Sequence, residues 1–319
     1  MALHTYIPPT KVLSKHFKGF KDEELPGYLH ILLEASYADD AEVLTDFKPY
    51  FESAHLDART QFHDEIGIDL HPDAGLDGNA KTFSYPASLP IKAKRGLFGE
   101  AFSGLLTELC TYIGDHNWVI PVFLFRFHQE AGAYLFTLRR NPDAKREMHG
   151  RKGDDFIAIC VDEDGNLERV LSGEAKWRKT LTQSVVDVLL YGDKVKDEET
   201  GISEHNGRGI LDGFNRAVDP PHGLKQVQRI LKSLDPEGHA DTIFSIDQAV
   251  LDDTSTLPRT NLIVIAGNGG VKRKPSTAMI PCESKPQGYT SSKDLQVVEV
   301  IFNGGETMID ALYDALYED

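Results

Sequence analysis

Asp155, Glu174 and Lys176 have types and spacing that could do chemistry. An apolar segment begins at Asp155 (DFIAICV) and a second runs through LERVLSGEAKW, with Glu163-Asp164-Gly165-Asn166 between them. Asp-Gly between two such segments is a strong two-residue hairpin signal. With Asp164 and Gly165 as the turn, Glu163 pairs with Asn166, and counting outward pairs Asp155 with Glu174. The two carboxylates then share one face, roughly 5 Å apart at Cβ. Lys176, two residues beyond Glu174, shares that face, whereas Asp154 pairs with Ala175 and points the other way. A bulge, for example at Gly173, would break the count.

Two facing carboxylates repel unless a positive charge joins them. A divalent cation removes the repulsion, and few hard oxygen ligands with room for water and phosphate suit Mg²⁺ or Mn²⁺. Such an ion lowers the pKa of water and neutralises charge on a phosphoryl oxygen. A neighbouring lysine adds positive charge where the transition state needs it. The chemistry implied is phosphodiester hydrolysis, with Asp155, Glu174 and Lys176 as catalytic residues. The competing structural reading makes Asp155 a strand start and Lys176 a surface partner of Glu174. Acid-x-Lys also occurs at Asp46-Phe47-Lys48, Asp143-Ala144-Lys145 and Glu283-Ser284-Lys285. Context separates Glu174-Ala175-Lys176 from these, because it closes an apolar strand and faces an aspartate across a turn.

The elements that must position this hairpin read as a mixed α/β layer. Residues 95–113 repeat apolar side chains at helical spacing, and Gly114 stops them. Residues 26–51 read as helix in part, and 71–90 as a Gly/Pro/Asp-rich connector. Residues 119–127 and 133–139 read as strands. After the hairpin, 180–191 reads as helix, as do parts of 210–218 and 223–234. Residues 262–266 and 295–302 read as strands, and 306–317 as a closing helix. Residues 1–90 form an N-terminal region of unclear role, and 91–319 carry the chemistry.

At 319 residues, the chain can bury one large α/β domain or two smaller ones. No run reaches the ~18 apolar residues of a membrane span, so no membrane partner is expected. The N-terminal sequence has no apolar signal core. Three scattered cysteines exclude a disulfide framework and a cysteine zinc site. The expected compartment is a reducing cytoplasm. The net charge of −16 opposes stand-alone nucleic-acid binding. Yet residues 139–152 hold six bases and two acids. Lys176, Arg178 and Lys179 form a second basic group, and Lys272, Arg273 and Lys274 a third. From these runs, Arg139, Arg140, Arg151, Lys152, Arg178 and Lys179 are the candidate nucleic-acid contacts. The acid-rich first 90 residues and the acidic C-terminal helix are candidate docking surfaces for a partner.

The ordered set Gly153-Asp154-Asp155-Phe156-Ile157, hairpin, Gly173-Glu174-Ala175-Lys176-Trp177 resembles the PD-(D/E)xK core of restriction-endonuclease-like nucleases. Asp154 replaces the proline of that motif. The resemblance implies a mixed central sheet flanked by helices, here with an N-terminal extension. The helix bearing Gly99-Glu100 is similar to one that often supplies a further acidic ligand, which makes Glu100 a metal ligand beside Asp155 and Glu174. Gln183 is similar to a glutamine of RecB-like members, although Asp187 stands where their tyrosine is expected. From about residue 94 onward the chain resembles the HamA family of the Hachiman antiphage defence system. That resemblance implies DNA cleavage with Mg²⁺ or Mn²⁺ and a HamB-like helicase partner. Two other readings remain: a silent nuclease-fold module that regulates a helicase, and a hydrolase of small phosphodiesters.

Gly267-Asn268-Gly269-Gly270-Val271-Lys272 lacks the ending of a phosphate-binding loop and reads as a turn. The twelve histidines show no zinc-hydrolase spacing. Trp177 either stacks on a base or packs under the sheet.

Overall fold

The runs YLHILLEA, LIVIA and VVEVIF are apolar at almost every position, the pattern of strands covered on both faces. In the computed structural model they lie side by side. It describes residues 11–21, 23–36, 40–66, 85–127, 129–141, 155–196, 198, 201–217, 221–251 and 257–317. The strands are β1 (Phe17–Lys21), β2 (Tyr28–Ala35), β3 (Phe156–Val161), β4 (Leu167–Leu181), the short pair β5 (Lys194–Lys196) and β6 (Ser203–His205), β7 (Arg259–Gly269) and β8 (Asp294–Phe302). Six of them form one mixed sheet in the order β1-β2-β8-β7-β4-β3. The four central strands are parallel, and β1 and β3 close the edges in antiparallel sense. The fold class is therefore mixed α/β.

Helices cover both faces. On one side lie α1 (Val12–His16), α2 (Asp40–Ile66), α3 (Ile91–Leu109), α4 (Gln129–Arg140) and α9 (Gly305–Ala315). Their core is aromatic: Phe98, Phe102 and Phe302 meet at ring distances of 5.2–5.8 Å, and Trp177 packs on Phe98 and Phe302. On the other side, α5 (Gln183–Tyr191) and α6 (Ile210–Asn215) cover β7 and β8. Helices α7 (His222–Leu234) and α8 (Ala240–Leu251) cover β3 and β4. Among the described residues no helix is long and apolar enough to cross a membrane.

Residues 17–35 and 40–66, assigned from the sequence to an N-terminal region, supply β1, β2 and α2. The start of that stretch is strand where helix was expected: Tyr28–Ala35 pairs with β8, and helix begins only at Asp40. A strand buried on both faces has no polar alternation to announce it. Residues 119–127 are not a strand either. They touch the sheet through two isolated bridges, Val119 to Ile159 and Phe123 to Phe156, then form a 3₁₀ turn at Leu124–Phe127. Pro121 has no N–H to give a ladder. The run at 133–139 belongs to helix α4, where the Thr137 hydroxyl donates to the Ala133 carbonyl at 2.8 Å. Short unbroken apolar runs carry no period that separates helix from strand.

The closing helix is fastened by its acids. Arg95 donates to Glu306 at 2.8 Å and to Asp310 at 2.9 Å, and Lys94 to Asp314 at 3.1 Å. Three of the acids read from the sequence as a docking surface thus hold α9 onto α3.

Candidate active site

The β3–β4 hairpin has a longer turn than the sequence suggests. Asp162 N–H donates to the Asn166 carbonyl, and Gly165 takes a positive φ of 87°. Three residues, Glu163, Asp164 and Gly165, form the loop. That extra residue would shift every pair by one. The register shifts back between Cys160 and Val161, where Glu168 stands unopposed on β4. Beyond it Phe156 pairs with Gly173, as expected from the shorter turn. A bulge absorbs the offset of the loop, so Asp155 still meets Glu174. Gly173 is required there: a Cβ would lie 2.4 Å from the Phe156 ring.

The three predicted side chains converge. Asp155 is buried, with 7% of its surface exposed. Its main-chain N–H donates to the Gly173 carbonyl at 2.9 Å. Its Oδ2 accepts the Ala175 N–H at 2.7 Å and lies 3.3 Å from Lys176 Nζ. Lys176 also forms an ion pair with Glu174. Burial works against the Lys176 charge. The carboxylates of Asp155 and Glu174 outweigh it and hold the ammonium above its ordinary pKa. Strand alternation sets Glu174 and Lys176 on the face opposite Trp177, in register with Ile263 and Ile265 of β7.

Glu100 is not brought to this cluster. Its helix α3 packs on the Trp177 face, and Gly99 lies against Trp177. Burial above all, with the Glu100 charge adding to it, holds the Tyr85 and Tyr313 hydroxyls well above their ordinary pKa. Among the described residues, no group of three or more His, Cys, Asp or Glu side chains could hold a metal ion. Two carboxylates are what the site offers, and Mg²⁺ is commonly held by one or two carboxylates with water completing its shell.

The remaining predicted residues are scattered. Arg139 and Arg140 end α4, while Arg151, Lys152 and Asp154 lie outside the described residues. Arg178 and Lys179 are exposed at the end of β4, and Arg178 Nη1 donates to the Trp177 carbonyl at 2.9 Å. Gln183 donates to Asp187 and to the Met279 carbonyl, both at 2.8 Å, at the first turn of α5. Trp177 is buried, and its Nε1 donates to Glu306 at 2.8 Å.

Sequence reading missed two polar residues on the cluster's face. Ser172 pairs in register with Asn261, and both are fully buried. Asn261 Nδ2 donates to the Tyr289 hydroxyl at 2.9 Å, and its Oδ1 has no hydrogen-bond partner among the described residues. The signal was the Thr260-Asn261 pair just ahead of an apolar run, since a polar side chain inside a covered strand has to serve something.

Comparison with protein-family models and with curated proteins returns no match for the chain.

Proposed function

We propose that this chain is a metal-dependent deoxyribonuclease with a restriction-endonuclease-like core, the nuclease subunit of a Hachiman-type antiphage complex that works with a HamB-like helicase. The observation that carries the reading is the convergence of Asp155, Glu174 and Lys176 on one face of the β3–β4 hairpin. Mixed sheet topology and helices on both faces are compatible with it. The donor set fits Mg²⁺ or Mn²⁺: two carboxylates, one buried and oriented by a main-chain N–H. Asp155 and Glu174 would hold the ion, which supplies charge neutralisation and an activated water when bound.

The protein's own groups have separate tasks. The Ala175 N–H fixes the Asp155 rotamer. Lys176 is kept protonated by its neighbours and offers its ammonium to a phosphate oxygen as negative charge grows there. Apolar β7 side chains Ile263 and Ile265 keep the adjoining sheet dry, which strengthens these charge interactions.

A silent module that regulates a helicase is the second reading. The observation favouring it is that Lys176 already pairs with both carboxylates, as a purely structural triad would. Incubation of plasmid DNA with the chain and Mg²⁺, with and without the helicase, separates the two. Metal-dependent cutting that disappears in Glu174→Ala supports the nuclease. Uncut DNA in every combination supports the silent module. Cleavage of cyclic dinucleotides but not of DNA would point to the small-phosphodiester hydrolase.

A further inference from the structure

The glycine run after β7 has a structural role that places charge. The β4–β7 register shifts between Arg178 and Leu181, so that Lys179 and Thr180 bulge out of the ladder. The bulge is clasped from β7: Asn268 Nδ2 donates to the Lys179 carbonyl at 2.9 Å, and Gly270 N–H to the Leu181 carbonyl at 3.0 Å. The clasp needs glycine, since a Cβ on Gly267 would come 2.1 Å from the Arg178 carbonyl oxygen, and one on Gly270 2.9 Å from that of Leu181. Bulges of this kind re-aim side chains next to active sites. Here Arg178 and Lys179 face solvent within three residues of Lys176.

The chain that leaves the clasp carries the third basic group. Lys272 and Lys274 follow in the turn closed by Arg273 N–H to the Gly270 carbonyl at 2.8 Å, and both are exposed. Arg273 is spoken for by Glu34, at 2.5 Å. Arg178, Lys179, Lys272 and Lys274 form no ion pair with a described residue. In a chain of net charge −16, four unneutralised cations at one end of two adjacent strands are a local reversal of sign.

We propose that Arg178, Lys179, Lys272 and Lys274 form one phosphate-binding rim that holds a nucleic-acid strand beside the Asp155–Glu174–Lys176 cluster. The placement rests on the nuclease reading, and the charge argument stands without it. Three residues of extended chain separate Lys176 from Lys179, at most about 11 Å. At about 3.4 Å of axial rise per nucleotide, Lys179 meets the strand within about three nucleotides of the phosphate at the cluster. The phosphate backbone is the feature read, so little sequence preference is expected.

The test is fluorescence anisotropy of a labelled DNA duplex with the full chain, in EDTA, from about 50 mM salt upward. EDTA removes cleavage from the readout. The triple variant Lys179→Gln/Lys272→Gln/Lys274→Gln is compared with Lys11→Gln/Lys48→Gln/Lys92→Gln, at the N-cap of α1 and on α2 and α3 of the opposite face. Both change net charge equally. Each lost phosphate contact removes about 0.9 from the slope of log affinity against log salt, so the rim variant should lose about 2.7 and the control almost nothing. Equal slopes for the two variants, or no saturable binding by the unmodified chain at the lowest salt, overturn the rim. If the rim variant behaves as expected while the unmodified chain never cuts DNA with Mg²⁺, the nuclease reading fails and the rim stands. If the chain cuts DNA and its salt slope is indifferent to the rim, the rim fails and the nuclease reading stands.

Discussion

Replacing Lys176 by methionine keeps most of its stem and removes the charge that joins Asp155 to Glu174. The carboxylates then face each other across the hairpin with Asp155 buried. Removing one partner of a fully buried pair typically costs about 3–5 kcal/mol. The Lys176 and Glu174 side chains are 29% and 23% exposed, so solvent screens part of the loss. About 2 kcal/mol is the expected destabilisation. In a chain of this size that lowers the melting temperature by a few degrees. A cation that binds between the carboxylates reverses the loss: at a hundred times its dissociation constant it returns about 2.7 kcal/mol. Thermal unfolding followed by circular dichroism, in EDTA and in Mg²⁺ or Mn²⁺, reads both effects. Lys176→Met should melt below the unmodified chain in EDTA and recover with the metal, while the unmodified chain responds less. A variant as stable as the unmodified chain in EDTA, or a deficit that neither metal reduces, would refute the charge argument.

Glu174→Ala and Lys176→Ala should each lower DNA cleavage by about 10²–10³-fold with the far-ultraviolet spectrum intact, because neither side chain fills the core; cleavage at the unmodified rate by both excludes the cluster from catalysis. Asp155→Asn should cut more slowly than Asp154→Asn in the same assay, and the reverse order would mean that the hairpin presents the other aspartate. His55 is buried between the Tyr85 and Tyr313 hydroxyls, 3.0 Å from each, and burial pushes its pKa down to about 3. The unfolded chain takes up a proton there below about pH 6.5, so this stability is complete above that pH and drains as pH falls toward 3, with about 2 kcal/mol gone by pH 5. Urea midpoints at the two ends of that range should separate for the unmodified chain and separate less for His55→Phe; equal separations would sink the assignment. Gly267→Ala should destabilise by about 1–3 kcal/mol in urea titration, because its Cβ meets a carbonyl that the β4 bulge cannot withdraw; an unchanged midpoint would show that the clasp yields.

What could be read from the sequence was local. The hairpin announced itself through Asp-Gly between two apolar runs, and α3 through apolar positions at one spacing, although the helix ends at Leu109, ahead of the Cys110 and Ile113 of the periodic run and of the Gly114 that stops it. The cluster followed from counting, and the count survived because Glu168 bulges out by the same single residue that lengthens the turn. Nothing in the sequence forces that cancellation, since the turn end of the hairpin meets α8, far along the chain: Leu167 N–H donates to the Ser245 hydroxyl and the Thr242 hydroxyl to the Gly165 carbonyl, both at 2.8 Å. Residues 28–35 were illegible for a related reason. One of their two neighbours in the sheet is β8, more than 250 residues away, and covering on both faces erased the alternation that marks a strand. Glu100 illustrates the limit from the other side. Its position on a helix was readable, but the sheet face that the helix would cover was not.

Charge behaves in the same way on a larger scale. The sequence shows acids at both ends and bases in three runs, which invites assigning each run a partner outside the chain. Folding assigns many of them partners inside it. Glu306, Asp310 and Asp314 are taken by Arg95 and Lys94; Glu42 and Asp46 by Lys15; Glu34 by Arg273. Each pairing removes a base from a run that looked free, as with Arg273, or an acid from a surface that looked adhesive, as with α9. Arg178, Lys179, Lys272 and Lys274 are different because they are exposed and none forms an ion pair with a described residue. A basic run therefore becomes a candidate contact only when the fold both exposes it and leaves it unneutralised, and at this end of the sheet it does both.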